Sequence, residues 1–129
     1  MSLWFLGKKD TTAIGNKAEK LAEKHIKSAG LKIAKRNYRC KGGEIDIIAM
    51  DKNIVVFVEV RFRSRSDFGS AAESVTRNKQ KRVIMAAKHF LLSNYGSNEP
   101  QCRFDVIGIQ DNPPEINWIK NAFEDSQWI

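Results

Sequence analysis

Cysteine and histidine are scarce in this 129-residue chain, with two of each. Cys40 and Cys102 are too few for a disulfide framework or a zinc site built from cysteine alone, so free thiols in a reducing cytosol are expected. His25 and His89 are too sparse for a His-based metal site. Each falls in a helical pattern and reads as a helix-surface or core-edge residue. No apolar run approaches the roughly 18 residues of a membrane span, which excludes a transmembrane helix. The start places a short apolar stretch ahead of Lys8 and Lys9, the wrong order and too short for a secretory signal. Repeats, low-complexity tracts and domain linkers are also missing. These absences lead to the expectation of one cytoplasmic domain spanning 1–129, with 1–12 as an N-terminal extension and 120–129 as a C-terminal tail.

Positive charge is what the chain has in excess. Lys and Arg number 22 against 15 acids, a net charge of +7, and the isoelectric point lies near 9.6. For a small domain that suggests a polyanionic partner, nucleic acid first and an acidic membrane surface second. The cations are clustered. Lys32, Lys35, Arg36, Arg39 and Lys41 fall within ten residues that hold no acid, and Arg77, Lys79, Lys81 and Arg82 crowd the start of a helical pattern. Cations there oppose the helix macrodipole, a cost that a bound anion offsets; a merely solvated basic turn is the alternative.

The most informative stretch is 43–63, where two β-branched-rich runs flank Asp51-Lys52-Asn53, the signal for a β-hairpin. If Lys52 and Asn53 form the turn, Asp51 faces Ile54. Counting back then pairs Met50 with Val55, Ile48 with Phe57 and Asp46 with Glu59. Directly opposed residues share a face with Cβ atoms about 4.5–5.5 Å apart. Alternation puts Arg61 on that face too. Opposed carboxylates destabilise a sheet, and acids are poor strand formers. A divalent cation resolves the conflict, since Mg²⁺ is held by one or two carboxylates, waters and phosphate oxygens. The bland alternative is a solvent-facing polar side on which Arg61 pairs with Glu59.

Around this hairpin, 13–29 reads as an amphipathic helix with Ile14, Ala18, Leu21, Ala22, His25, Ile26 and Ala29 on its apolar face, Thr11 or Thr12 as cap and Gly30 as stop. Glu19 lies at the edge of that stripe. Residues 31–40 read as a strand ending in a Lys41-Gly42-Gly43 turn, and 63–70 as a polar loop. A second helix from about Thr76 to Leu92 carries Val83, Ile84, Ala87, Phe90 and Leu91 toward the core. Strands follow at 102–109 and, more briefly, 116–119, separated by a turn at Asp111 to Pro114. The order α-β-β-β-α-β-β predicts an α/β protein with a mixed sheet: antiparallel early strands, then a crossover helix leading to a parallel one.

These elements resemble two nested groups. The broad one is the restriction-endonuclease-like, or PD-(D/E)xK, nuclease fold, with its αβββαβ core, central mixed sheet and flanking helices. Asp46 matches its strand-borne Asp, Glu59 the Glu of its Glu-x-Lys, and Arg61 stands in the Lys position. Holliday-junction resolvases add a Glu on the first helix, the place of Glu19. The narrower resemblance is to the YraN-type family of bacterial proteins, carried in order by residues 16–22, 43–48, 58–61, 74–79 and 102–106.

The resemblance implies a metal-dependent phosphodiesterase acting on structured or branched DNA, with DNA ahead of RNA as partner. Glu19, Asp46 and Glu59 would hold Mg²⁺ or Mn²⁺. Arg61 is always protonated, so it stabilises charge but cannot act as a base. Lys79 is a candidate substitute cation, with Gln80 beside it for substrate contact. Arg36, Arg39, Lys41, Arg63, Arg65, Arg77 and Lys81 would contact the nucleic-acid backbone. A homodimer is one assembly it allows, because related resolvases cut two strands symmetrically. The alternative is a binding module on a nuclease fold that has lost strong catalysis, with RNA processing as a further use.

Overall fold

A computed structural model describes residues 11–63, 71–110 and 114–125. Its elements are α1 (Thr11–Ser28), β1 (Lys32–Cys40), β2 (Gly43–Asp51), β3 (Ile54–Arg63), a 3₁₀ turn at Ala72–Ser74, α2 (Arg77–Tyr95), β4 (Cys102–Gln110) and β5 (Glu115–Phe123). The five strands form one mixed sheet in the order β1-β2-β3-β4-β5. All neighbours are antiparallel except β3 and β4, which run parallel across the α2 crossover. The expected architecture is therefore present as a mixed α/β fold. Among the described residues no helix is long and apolar enough to cross a membrane.

The two helices cover opposite faces, and alternation along the strands sorts the core between them. Ala18, Ala22 and Ile26 of α1 pack with Ile47, Ala49, Val56, Val58, Ile107 and Ile109. Val83, Ala86, Ala87, Phe90 and Leu91 of α2 pack with Ile48, Val55, Phe57 and Phe104 on the other side. Ile84, expected in that face, lies at its edge and is half-buried, while Ala86 takes the buried place. Thr76 caps α2 by accepting the Lys79 N–H at 3.1 Å. The helix runs three residues past Leu92 and stops at Gly96, whose φ of 60° suits glycine.

Gly43 sets how closely α2 approaches the sheet. A Cβ at this position would stand 2.4 Å from the Arg82 carbonyl oxygen and 2.7 Å from the Ala86 nitrogen, both backbone atoms. Gly43→Ala is therefore expected to cost about 1–3 kcal/mol, the scale of overpacking. Urea unfolding checks this, and an unchanged midpoint contradicts the close approach.

β5 is longer than the sequence suggested, reaching Phe123 and so taking residues 120–123 from the expected tail. Asp105 explains how. This fully buried acid accepts the Trp118 Nε1–H at 2.9 Å and the Asn121 N–H at 3.0 Å. Arg103 Nε lies 3.1–3.2 Å from both its oxygens and Arg103 Nη1 3.0 Å from Asp51. Asn121 has a φ of 53°, and the β4–β5 register slips between Phe104 and Val106. The carboxylate thus holds the irregular turn of chain that carries β5 onward to the Phe104–Phe123 stack.

Candidate active site

The hairpin pairs as the turn count requires: Asp51 with Ile54, Met50 with Val55, Ile48 with Phe57 and Ile47 with Val58. The ladder stops there, one pair short of Asp46 and Glu59. Beyond it the Asp46 Oδ2 accepts the Val60 N–H at 2.8 Å, so a side chain does the work of a ladder carbonyl. Ile45 packs with the α2 core although Ile47 packs with the α1 core, so strict alternation fails across Asp46. Asp46 consequently stands at a break in the sheet, where groups from both helices bear on it. Glu19 of α1 and Lys79 of α2 both feel its charge.

Glu59 is the centre of the site. It follows the α2-facing Val55 and Phe57 in alternation and is 2% exposed. Its Oε1 is buried without a hydrogen-bond partner. Burial, then the charge and hydrogen bond of Asp46, push its carboxyl up to about 9, against the opposing pull of Lys79 and Arg61. Lys79 Nζ lies 3.6 Å from Glu59 Oε2 and Arg61 Nη1 lies 3.9 Å from the same oxygen. Ser74 Oγ accepts from Arg61 Nε at 3.3 Å. Arg61 and Glu59 thus share a face, as alternation predicts.

Lys79 is gripped from a direction the sequence did not indicate. Its ammonium donates to Glu44 Oε1 at 2.8 Å, and Arg82 Nη2 is 3.8 Å from that oxygen. The hydrogen bond from Lys79 holds the Glu44 carboxyl below the usual range. Burial alone would lower the Lys79 ammonium, yet Glu44, Glu59 and Asp46 together raise it, so Lys79 remains a cation.

Glu19 is half-buried, and its carboxyl is raised by burial and by Asp46 while Arg39 opposes. It lines a crevice of about 220 Å³ between α1 and β1 with Asn16, Glu23 and Arg36. Among the described residues no three His, Cys, Asp or Glu side chains are grouped to hold a metal. The site is therefore a carboxylate pair with Glu19 in electrostatic range. The pair still suits a hard divalent cation: its donors are oxygens, the two acids repel, and Glu59 Oε1 lacks a partner.

The expected backbone-binding residues separate into groups. Arg39, Lys41, Arg77 and Lys81 are exposed. Arg77, Gln80 and Lys81 line a groove of about 460 Å³ beside α2, together with Met85 and Lys88. Arg36 is committed to Glu23 through Nε, at 2.8 Å, and through Nη2. Gln80 donates Nε2–H to the Val75 carbonyl at 3.1 Å, anchoring the segment before α2. Arg63 ends β3. Arg65 lies outside the described residues.

Comparison with known sequences places the chain. The profile described as Uncharacterised protein family UPF0102 matches residues 18–109. A UPF0102 protein of Saccharophagus degradans is 53% identical over 109 residues, covering 84% of this chain and 91% of the relative. One from Dechloromonas aromatica is 48% identical over 113 residues, 88% of this chain and 90% of the relative. One from Aeromonas hydrophila is 46% identical over 110 residues, 84% and 83% of the two chains. The chain belongs to Uncharacterised protein family UPF0102, the YraN-type family that its motifs resemble.

Proposed function

We propose that this protein is a metal-dependent phosphodiesterase with a restriction-endonuclease-like core, acting on structured or branched DNA. One observation carries the reading: a buried Glu59 with an unpartnered oxygen sits against Asp46 and is faced by two cations, Lys79 and Arg61. A buried acid pushed to protonate by burial and by its neighbour is costly to keep without a ligand, and a perturbed carboxylate of this kind marks a functional site. Asp46 and Glu59 would hold Mg²⁺ or Mn²⁺, with Glu19 contributing from α1. When bound, the metal polarises the scissile phosphate and lowers the pKa of its water.

The chain's own residues do the rest. Lys79 and Arg61 present positive charge toward the pair, where they counter the charge that develops on the phosphoryl oxygens. Arg61 is a fixed cation steadied by Ser74. Exposed Arg39, Lys41, Arg77 and Lys81 contact backbone phosphates without reading sequence. The test is a cleavage screen on labelled duplex, flap, four-way-junction and RNA substrates with Mg²⁺, Mn²⁺ or chelator. Metal-dependent cutting that favours a branched DNA supports the reading; binding without cutting under every condition overturns it.

A non-catalytic or weakly catalytic nucleic-acid-binding module is the second reading. It is favoured by Arg61 in the motif's Lys position. Both readings share one expected outcome. Log affinity for duplex DNA falls linearly with log salt, with a slope of about −0.9 per phosphate neutralised. Lys81→Ala and Arg39→Ala weaken binding to all sequences alike and make the slope shallower. Arg36→Ala changes affinity less, because Glu23 already neutralises that guanidinium. Affinity that ignores salt contradicts the electrostatic interface.

A further inference from the structure

We infer that Glu44 is a positioning residue, which holds the Lys79 ammonium off Glu59 and so keeps the carboxylate pair open to a cation and a phosphate. The inference rests on the reading of Asp46 and Glu59 as a divalent-cation site and extends it to a residue outside the metal-binding pair.

The geometry is asymmetric. Lys79 Nζ is within hydrogen-bond distance of Glu44 Oε1, 2.8 Å, but stands 3.6 Å from Glu59 Oε2. Glu44 is the more exposed of the two acids, its side chain 33% accessible against 2% for Glu59. A lysine ammonium on a flexible four-carbon stem is drawn to the negative charge of the Asp46–Glu59 pair, because the attraction strengthens as solvent is excluded. Without a competitor it would close on Glu59, occupy the oxygen that faces it and repel a divalent ion. Glu44 supplies that competitor.

Two features fix the arrangement. Gly43 brings the start of β2 against the α2 backbone at Arg82 and Ala86, so the adjacent Glu44 meets α2 at a set height. Thr76 caps the first turn of α2 through the Lys79 N–H itself, which steadies the backbone from which the lysine extends. The ammonium reaches the pair from α2, across the helix–sheet interface, and Glu44 on β2 is the acid that aims it.

The test measures Mn²⁺ affinity by titration calorimetry on the full chain, for wild type, Glu44→Gln, Lys79→Met, the double variant and Asp46→Asn. Circular dichroism confirms that each is folded. Glu44→Gln is expected to weaken Mn²⁺ binding about tenfold, as Lys79 moves onto Glu59. Lys79→Met strengthens it. In the Lys79→Met background, Glu44→Gln has little further effect, because Glu44 acts through the lysine. Should Glu44→Gln fail to fold, Glu44→Asp keeps the charge on a shorter reach and gives an intermediate loss. An equal loss in both backgrounds makes Glu44 act on the ion directly and overturns the inference, as does no loss in either. Failure of the underlying reading looks different: wild type binds no Mn²⁺, or Asp46→Asn binds it as tightly as wild type. Either result overturns the inference as well.

Discussion

Asp46→Asn is expected to lower metal-dependent cleavage at least about a hundredfold, the scale on which losing one transition-state-stabilising group shows itself. The fold should survive. Asparagine keeps an oxygen where Asp46 Oδ2 accepts the Val60 N–H, so the break in the β2–β3 ladder stays closed. Where Glu59 is ionised, removing the charge also relieves its repulsion of that carboxylate, and stability without metal should hold or rise. DNA affinity should change little, because Arg39, Lys41, Arg77 and Lys81 are untouched. Asp46→Ala separates the two roles: it strands the Val60 N–H and costs about 1–3 kcal/mol more than asparagine. Turnover on the best substrate, melting temperature and duplex affinity are the three measurements. An Asp46→Asn protein that cuts at the wild-type rate ends the catalytic assignment.

Arg61→Lys tests the second cation facing Glu59. If the site merely lacked a lysine, supplying one on β3 would raise activity. Lys79 already places an ammonium 3.6 Å from Glu59. Arg61→Lys is therefore expected to bring no gain, and Lys79→Met to cause the larger loss.

The hairpin register was readable because its information is local. Two residues of turn chemistry and a period of two determine every opposed pair as far as Ile47 and Val58, and they place Glu59 and Arg61 on one face. The break at Asp46 was not readable, since nothing in the run Gly43 to Asp51 announces that alternation fails there. The helix faces emerged from periodicity, apart from the exchange of Ile84 for Ala86 at a stripe boundary and from Leu21 and Ala29, expected on the apolar face of the first helix but exposed. Lys79 stands out in the sequence as a cation near a helix start. Glu44 does not, because its partner is 35 residues away and their meeting depends on how α2 docks on the sheet. Gly43 was the available signal: a glycine beginning a strand interior suggests close backbone approach. The length of β5 was hidden for a similar reason. Asp105 looks like an ordinary polar position in a strand until Trp118 and Asn121 are seen to converge on it.

Glu59 gives the metal-free protein an unusual pH profile. Its carboxyl is raised to about 9 in the fold, first by burial and then by Asp46. In the unfolded chain it titrates near the ordinary value of 4.5. Between those pH values the folded state holds a proton that the unfolded state has released. Stability therefore falls as pH rises through that window, by up to about 1.4 kcal/mol per pH unit while the difference is a whole proton. Glu23 works in the opposite sense. Its hydrogen bond from Arg36 depresses it to about 2, and the stability it provides is lost only as pH falls below 4.5. Glu44 is depressed as well and likewise weakens the fold on the acid side. The two windows do not overlap, so the metal-free protein should melt highest at mildly acidic pH. Between pH 6 and pH 8 the melting temperature is expected to drop by roughly 10 °C for a domain of this size. Glu59→Gln should remove most of that slope and melt higher than wild type at pH 8. Adding Mg²⁺ or Mn²⁺ should restore wild type but not the glutamine variant, since binding requires the deprotonated ligand and releases its proton. Thermal scans across pH 5–9, with chelator and with metal, make the comparison. Parallel profiles for wild type and Glu59→Gln would mean that Glu59 titrates as an ordinary surface acid, and the buried, metal-ready carboxylate would have to be abandoned.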